Sequence, residues 1–442
     1  MPKIANWIVI GVLAVTVLLG GGVVGASAAG MFSPAPGHLD PASYVDPPPS
    51  PRTPEPGLDA PDTSVAPDAA TIQQRLAALS RRGLGTVSYQ VIDMSGQKVA
   101  GEDEDTLRIP ASSWKVLTSM AVLSAYGSNH RFTTTVVSSP SGIVLVGAGD
   151  PYLTRSSAPE PGQGTIQDLA AKTAEALGES GTASVTVGYD DSLFAPPQWN
   201  PLWPAIFGAD VSPISALSVD PDGWSGADTS ADAAKVFGAA LSNQGITVTD
   251  IRSEKAGTDA TLLASEDSLP LGTIVQHVLS TSYNFGAEVL LRHVGVAAGG
   301  DGSTSSGASG LAAYLQSQDL WADGMRIDDG SGLSSGDTVS ASILAQAVRT
   351  AYGNSLLADI LTGIPVAGVD GTLARRFDDP DEADGRGVVH AKTGTLDNVR
   401  TLTGFAQTSS GAVVFFSFML NNLPDSAAGL DWLDEAAAIL AS

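Results

Sequence analysis

Pro110-Ala111-Ser112-Ser113-Trp114-Lys115 is the stretch on which the reading of this chain turns. Pro110 suits a helix start, and Val116, Leu117, Met120 and Leu123 give the helix that follows an apolar face, closed by Gly127. Positions i and i+3 of a helix face the same way, so Ser112 and Lys115 are neighbours. A neutral lysine amine can take a serine proton; an ammonium cannot. The free lysine pKa is about 10.4, and burial or a nearby like charge can lower it by roughly 3–5 units. Lys392 is the expected like charge. Alone, Ser112 would be an ordinary helix N-cap serine.

Two later strings change that. Ser282-Tyr283-Asn284 precedes a helical stretch at 285–294. The Ser282 hydroxyl can relay a proton to a leaving amine, and the Asn284 amide can orient Lys115 and bind a substrate backbone. Lys392-Thr393-Gly394-Thr395 occurs once, just before a strong strand. Lys392 and the Thr393 hydroxyl can grip a terminal carboxylate, and Gly394 allows close backbone approach. The backbone N–H groups of Thr395 and Ser112 can form an oxyanion hole, where losing one donor costs about 2.7–4 kcal/mol of barrier. Such a centre needs no metal or organic cofactor.

Two other serines compete. Ser95-Gly96-Gln97-Lys98 also spells Ser-x-x-Lys, but it falls on a hairpin turn where Gly96 argues against a helix. Gly332-Leu333-Ser334-Ser335-Gly336 has the form of a nucleophile elbow, with His390 downstream. That elbow requires a strand before it and a helix after it, and its surroundings read as loop. Ser112 is the expected nucleophile.

Composition narrows the rest. The formal charge of −25 argues against nucleic acid as a partner. There is no cysteine, and His38, His130, His277, His293 and His390 show no metal-ligand spacing. Lys3 is the only side-chain charge ahead of an apolar run from Trp7 to Ala29, about long enough for a membrane span, which needs roughly 20 residues. The positive flank orients the remainder outward. Ala26-Ser27-Ala28 also suits cleavage, so residues 1–31 are either a signal peptide or a retained anchor that would make the membrane a partner. Localisation is expected to be extracytoplasmic, anchored or secreted to the cell wall. The span 32–70, with Pro47-Pro48-Pro49 and many other prolines, reads as a disordered linker.

Folded sequence is expected from near Thr71. Ile72, Leu76 and Leu79 have helical spacing, and Val87, Tyr89 and Val91 alternate as a strand does. The first part of the main domain runs over 71–138. An inserted small α+β domain covers 139–270, with strands at 143–146 and 185–187 and a helix at 166–177. The second part, 271–442, has helices at 271–279 and 287–294. It ends in strands at 399–406 and 412–419 and a helix carrying Trp432, Ala436, Ile439 and Leu440.

In its motif order the chain resembles the D-alanyl-D-alanine carboxypeptidase/endopeptidase family of class C low-molecular-mass penicillin-binding proteins, peptidase family S13. Besides the three motifs, Gly147-Ala148-Gly149-Asp150-Pro151, Ser215-Ala216-Leu217, Asp329-Gly330-Ser331-Gly332-Leu333-Ser334 and Gly368-Val369-Asp370-Gly371-Thr372-Leu373 look like its recurring strings. The resemblance implies an α/β (α+β) penicillin-binding transpeptidase/β-lactamase-like fold with an inserted domain. It implies a serine DD-peptidase that hydrolyses the terminal D-Ala-D-Ala bond, and also peptide cross-links, of peptidoglycan stem peptides, with β-lactams as covalent inhibitors. The catalytic roles carry over onto Ser112, Lys115, Ser282 and Asn284, and substrate binding onto Lys392, Thr393, Gly394 and Thr395. Two positions depart from the pattern. Ser335 stands where many members have arginine, and Trp203-Pro204-Ala205 lacks the acid that many carry there. The pocket for the stem-peptide side chain is therefore expected to be altered. A serine β-lactamase or esterase with the same motifs, and a non-catalytic peptidoglycan-binding or β-lactam-sensing module, are the alternatives.

Overall fold

The computed structural model describes residues 65–221 and 228–442. The expected signal or anchor segment and most of the linker, with His38, lie outside the described residues. Among the described residues no helix is long and apolar enough to cross a membrane.

Helix α1 (Ala69–Ala78) starts inside the span assigned to the linker, because Asp68 caps it by accepting the Thr71 N–H at 3.1 Å. Strands β1 (Thr86–Asp93) and β2 (Lys98–Glu102) form a hairpin. A 3-10 turn over Ala111–Trp114 leads into α2 (Lys115–Tyr126). Then come β3 (Thr133–Ser139), β4 (Gly142–Val146), α3 (Ile166–Glu179), β5 (Ser184–Asp190), α4 (Thr229–Asn243), β6 (Thr247–Ser253) and β7 (Leu262–Asp267). Helices α5 (Leu271–Thr281), α6 (Asn284–Ala297), α7 (Thr304–Ser317), α8 (Ala341–Tyr352) and α9 (Ala358–Gly363) follow. The chain closes with β8 (Val389–Leu396), β9 (Val399–Gln407), β10 (Val413–Asn421) and α10 (Ser426–Ala441).

The main sheet has the order β2-β1-β10-β9-β8 and is antiparallel throughout. Its middle strand β10 is buried along its whole length. Successive side chains of a strand point to opposite faces. Val414, Phe416, Phe418 and Leu420 therefore pack with Leu76 of α1 and Trp432 and Leu433 of α10, while Phe415 and Met419 join Leu344 and Val348 of α8. Both faces are covered, which is why this stretch reads as an unbroken apolar run.

The second sheet has the order β6-β5-β4-β3-β7. Strands β4, β5 and β6 pair in parallel. Parallel neighbours need long crossovers, and α3 and α4 supply them, burying Leu169, Phe237 and Leu241 against Leu145 and Val187. Strand β3 spans position 138/139, where the sequence reading divides the main domain from the insertion, and pairs with both β4 and β7.

Helix α2 differs from expectation. It does not present one apolar face; every residue from Lys115 to Leu123 is buried, with α5, α6, α7 and α8 around it. An apolar helix without a polar face is a core helix. The N-terminal end of that helix carries Lys115 into the interior.

Candidate active site

Ser112 lies in the 3-10 turn and not in an α-helix. With three residues per turn, side chains at i and i+3 eclipse one another, and Lys115 Nζ lies 2.8 Å from Ser112 Oγ. Ala111, just before the serine, holds a left-handed φ of 47°, a conformation costly for a residue with a Cβ and frequent at functional sites. The serine is half-buried, while Lys115 is fully buried.

Lys115 Nζ also donates to Asn284 Oδ1 at 2.7 Å and to the Ser331 carbonyl at 2.8 Å. Asn284 opens α6, and its Nδ2 donates to the Asp210 carbonyl at 3.1 Å, which orients the amide oxygen toward the lysine. Burial lowers the Lys115 pKa to about 7, against the opposing pull of Asp329, Glu288 and Asp337. Burial, and not the like charge of Lys392, is thus the main cause. Lys392 is itself held well below the usual lysine range, by burial first and then by the charge of Lys115. Its Nζ donates to the Thr393 carbonyl at 2.8 Å.

Strand β8 is the edge of its sheet beside the serine turn. The Ala391 N–H bonds to the Pro365 carbonyl and the Val389 carbonyl accepts from Ala367, both away from β9. By the alternation of an antiparallel ladder, the Thr393 carbonyl and the Thr395 N–H face that same outer edge. A Cβ on Gly394 would lie 2.0 Å from Thr401 Oγ1 and 2.7 Å from the Pro110 carbonyl, so only glycine lets the strand approach the serine turn this closely. Thr401 ties the turn in place. Its Oγ1 donates to the Pro110 carbonyl at 2.8 Å and shares a 2.8 Å bond with the buried Ser113 hydroxyl. Thr393 Oγ1 pairs with Thr372 Oγ1 at 2.8 Å, which brings the Gly368–Leu373 string to the same edge.

Ser282 caps α5 in a left-handed conformation, φ 63°. It is half-buried, and no hydrogen bond links it to Ser112 or Lys115. The competing serines sit elsewhere in structure and partner. Ser95 is on the exposed hairpin turn, bonded to Asp93, and Lys98 pairs with Glu104. Ser334 lies in a loop and donates to Asp328 Oδ2 at 3.0 Å, while His390 is in β8, stacked on Phe405 with ring centroids 4.7 Å apart. Ala205 and Ser335, the departures from the family pattern, are both exposed.

Sequence reasoning missed the third partner of Lys115, the Ser331 carbonyl, and the acids behind it. Glu288 was within reach, since Asn284 and Glu288 are i and i+4 on one helix. A backbone carbonyl leaves no mark in a sequence motif.

This fold is of the penicillin-binding-protein class. It superposes on penicillin binding protein 4 of Haemophilus influenzae with a TM-score of 0.70 at 20% identity, covering 84% of this chain and 98% of that one. The complex of the same protein with a β-lactam gives 0.66. Residues 69–224 and 221–442 match the D-Ala-D-Ala carboxypeptidase 3 (S13) family, and the chain belongs to that family. It is 33% identical over 408 residues to a carboxypeptidase of Mycobacterium tuberculosis, covering 87% of each chain. To carboxypeptidase DacB of Mycolicibacterium smegmatis it is 30% identical over 430 residues, 92% of this chain and 91% of the relative.

Proposed function

We propose that this chain is an exported serine DD-peptidase that removes the terminal D-alanine of peptidoglycan stem peptides through an acyl-enzyme on Ser112. The observation that carries this is the buried Lys115 amine, depressed to about 7 and 2.8 Å from the Ser112 hydroxyl. Near neutral pH a large share of that amine is uncharged and can accept the serine proton.

Ser112 Oγ attacks the carbonyl of the penultimate D-alanine while its proton passes to Lys115. The developing oxyanion lies between the Ser112 and Thr395 N–H groups. The C–N bond then breaks, and the proton moves to the departing amine by way of Ser282. The free carboxylate of the leaving D-alanine rests on Lys392 and Thr393. An anion there favours the charged form of Lys392, against the effect of burial. Water hydrolyses the ester and frees Ser112. A penicillin enters the same path and leaves Ser112 acylated. Export, by the apolar run after Lys3, would place the enzyme on the side of the membrane where its polymer lies.

Incubation with a labelled penicillin, mass spectrometry and peptide mapping test the reading. The label is expected on Ser112, and free D-alanine is expected from a D-Ala-D-Ala peptide. A protein that takes up no label, or a Ser112→Ala variant that keeps it, refutes the proposal.

A further inference from the structure

Lys115 needs more than a serine and an asparagine. A neutral amine has two N–H donors and one lone pair. In that neutral form Asn284 Oδ1 and the Ser331 carbonyl, at 2.7 and 2.8 Å, can accept the two N–H groups, which leaves the lone pair for Ser112 Oγ at 2.8 Å. The position of the Ser331 carbonyl therefore bears on whether the base points the right way.

That position is set by a buried carboxylate. Glu288 lies one helical turn beyond Asn284 on α6 and is 2% exposed. Its oxygens accept the Gly330 N–H at 3.0 and 3.1 Å and the Ser331 N–H at 2.7 Å. Thr118, one turn beyond Lys115 on α2, donates to the Gly330 carbonyl at 2.8 Å. The segment has no room to relax. A Cβ on Gly330 would meet the Ala287 carbonyl at 2.7 Å, and one on Gly332 would meet the Ala111 carbonyl at 2.0 Å. The loop is wedged between α6 and the residue that precedes the nucleophile.

We infer that Glu288 is a positioning residue for acylation: its carboxylate clamps the 330–331 backbone so that the Ser331 carbonyl orients the Lys115 amine toward Ser112. The inference rests on the acyl-enzyme reading above. Its charge also acts on the lysine. The charged and titratable groups facing Lys115 are Glu288 from α6, Asp329 and Asp337 from the loop, and Lys392 from β8. Those facing Glu288 are Asp329, Lys115 and, one turn on, Arg292. Burial and then Asp329 raise the Glu288 carboxyl to about 8, against the opposing pull of its bonds from Ser331 and Gly330 and the charge of Lys115. The two backbone N–H donors act the other way, favouring the ionised form, in which the charge acts on Lys115.

A glutamine at this position keeps an oxygen for both N–H groups and removes the charge; an alanine removes the clamp. The test is stopped-flow acylation by a fluorescent penicillin from pH 5 to 9, on the full chain and on Glu288→Gln and Glu288→Ala. In Glu288→Gln the acid limb of the rate profile is expected to move down by roughly 1 pH unit, the low end of what a nearby opposite charge does, with the plateau rate within a few-fold. In Glu288→Ala the plateau is expected to fall about 100-fold, the cost of a small misplacement of a reacting group. Glu288→Gln decides alone if Glu288→Ala does not fold. A parent protein acylated at Ser112 beside a Glu288→Gln variant whose limb stays put or moves up overturns the inference only. A parent that takes no penicillin overturns the acyl-enzyme reading and this inference with it.

Discussion

The rate at which Ser112 takes up a penicillin should follow the uncharged fraction of Lys115. At the ordinary lysine pKa of about 10.4, only about 1 amine in 2,500 is neutral at pH 7. Burial depresses this one to about 7, where half are neutral, so the structure raises the population of the base by roughly a thousand-fold. The sign follows directly. Acidification protonates the amine and removes the base, so the rate falls about tenfold per unit below pH 6 and levels off above pH 8. Lys115→Arg should abolish acylation at every pH, because a guanidinium stays protonated. Stopped-flow fluorescence with a labelled penicillin reads the rate, and mass mapping of the Ser112 peptide confirms the site. A profile flat from pH 5 to 9, or one still rising steeply at pH 9 toward a midpoint near 10, would refute the claim that burial of Lys115 prepares the base.

Other expectations are narrower. Gly394→Ala puts a Cβ 2.0 Å from Thr401 Oγ1; pushing β8 off the serine turn should cost about 1–3 kcal/mol by denaturant melts and slow acylation at least tenfold. Thr401→Val leaves the Pro110 carbonyl and the Ser113 hydroxyl short of a partner in the interior, and chemical denaturation should show a loss of about 1–3 kcal/mol. Ser95→Ala, on an exposed turn, should acylate at the parent rate in a gel assay. Lys115→Met carries a pH signature in stability. The native lysine titrates near 7 and the unfolded one near 10.4, so between those values the unfolded chain holds more protons and the parent gains stability as pH rises. The melting temperature of the parent relative to Lys115→Met should climb across that window, and a constant difference would contradict it.

Local pattern carried a good part of this molecule. The i, i+3 spacing of Ser112 and Lys115, the alternation of Val87, Tyr89 and Val91, and the apolar runs of β9 and β10 are set by neighbours in the chain, so each was legible in the residues. The order of the motifs and the accompanying strings pointed to the fold class and the family as well. What could not be read there depends on which elements pack together. Lys115 meets the Ser331 carbonyl across 216 positions, and Ser113 meets Thr401 across 288. Whether α2 was half exposed or wholly buried decided the charge of its lysine, since desolvation scales with what surrounds the amine and not with its neighbours in sequence. The same packing set burial, more than the neighbouring lysine, as the main cause of the depressed amine. Ser112 was found by its spacing; the state of the base beside it was decided by the tertiary structure, because burial is a property of the assembled core.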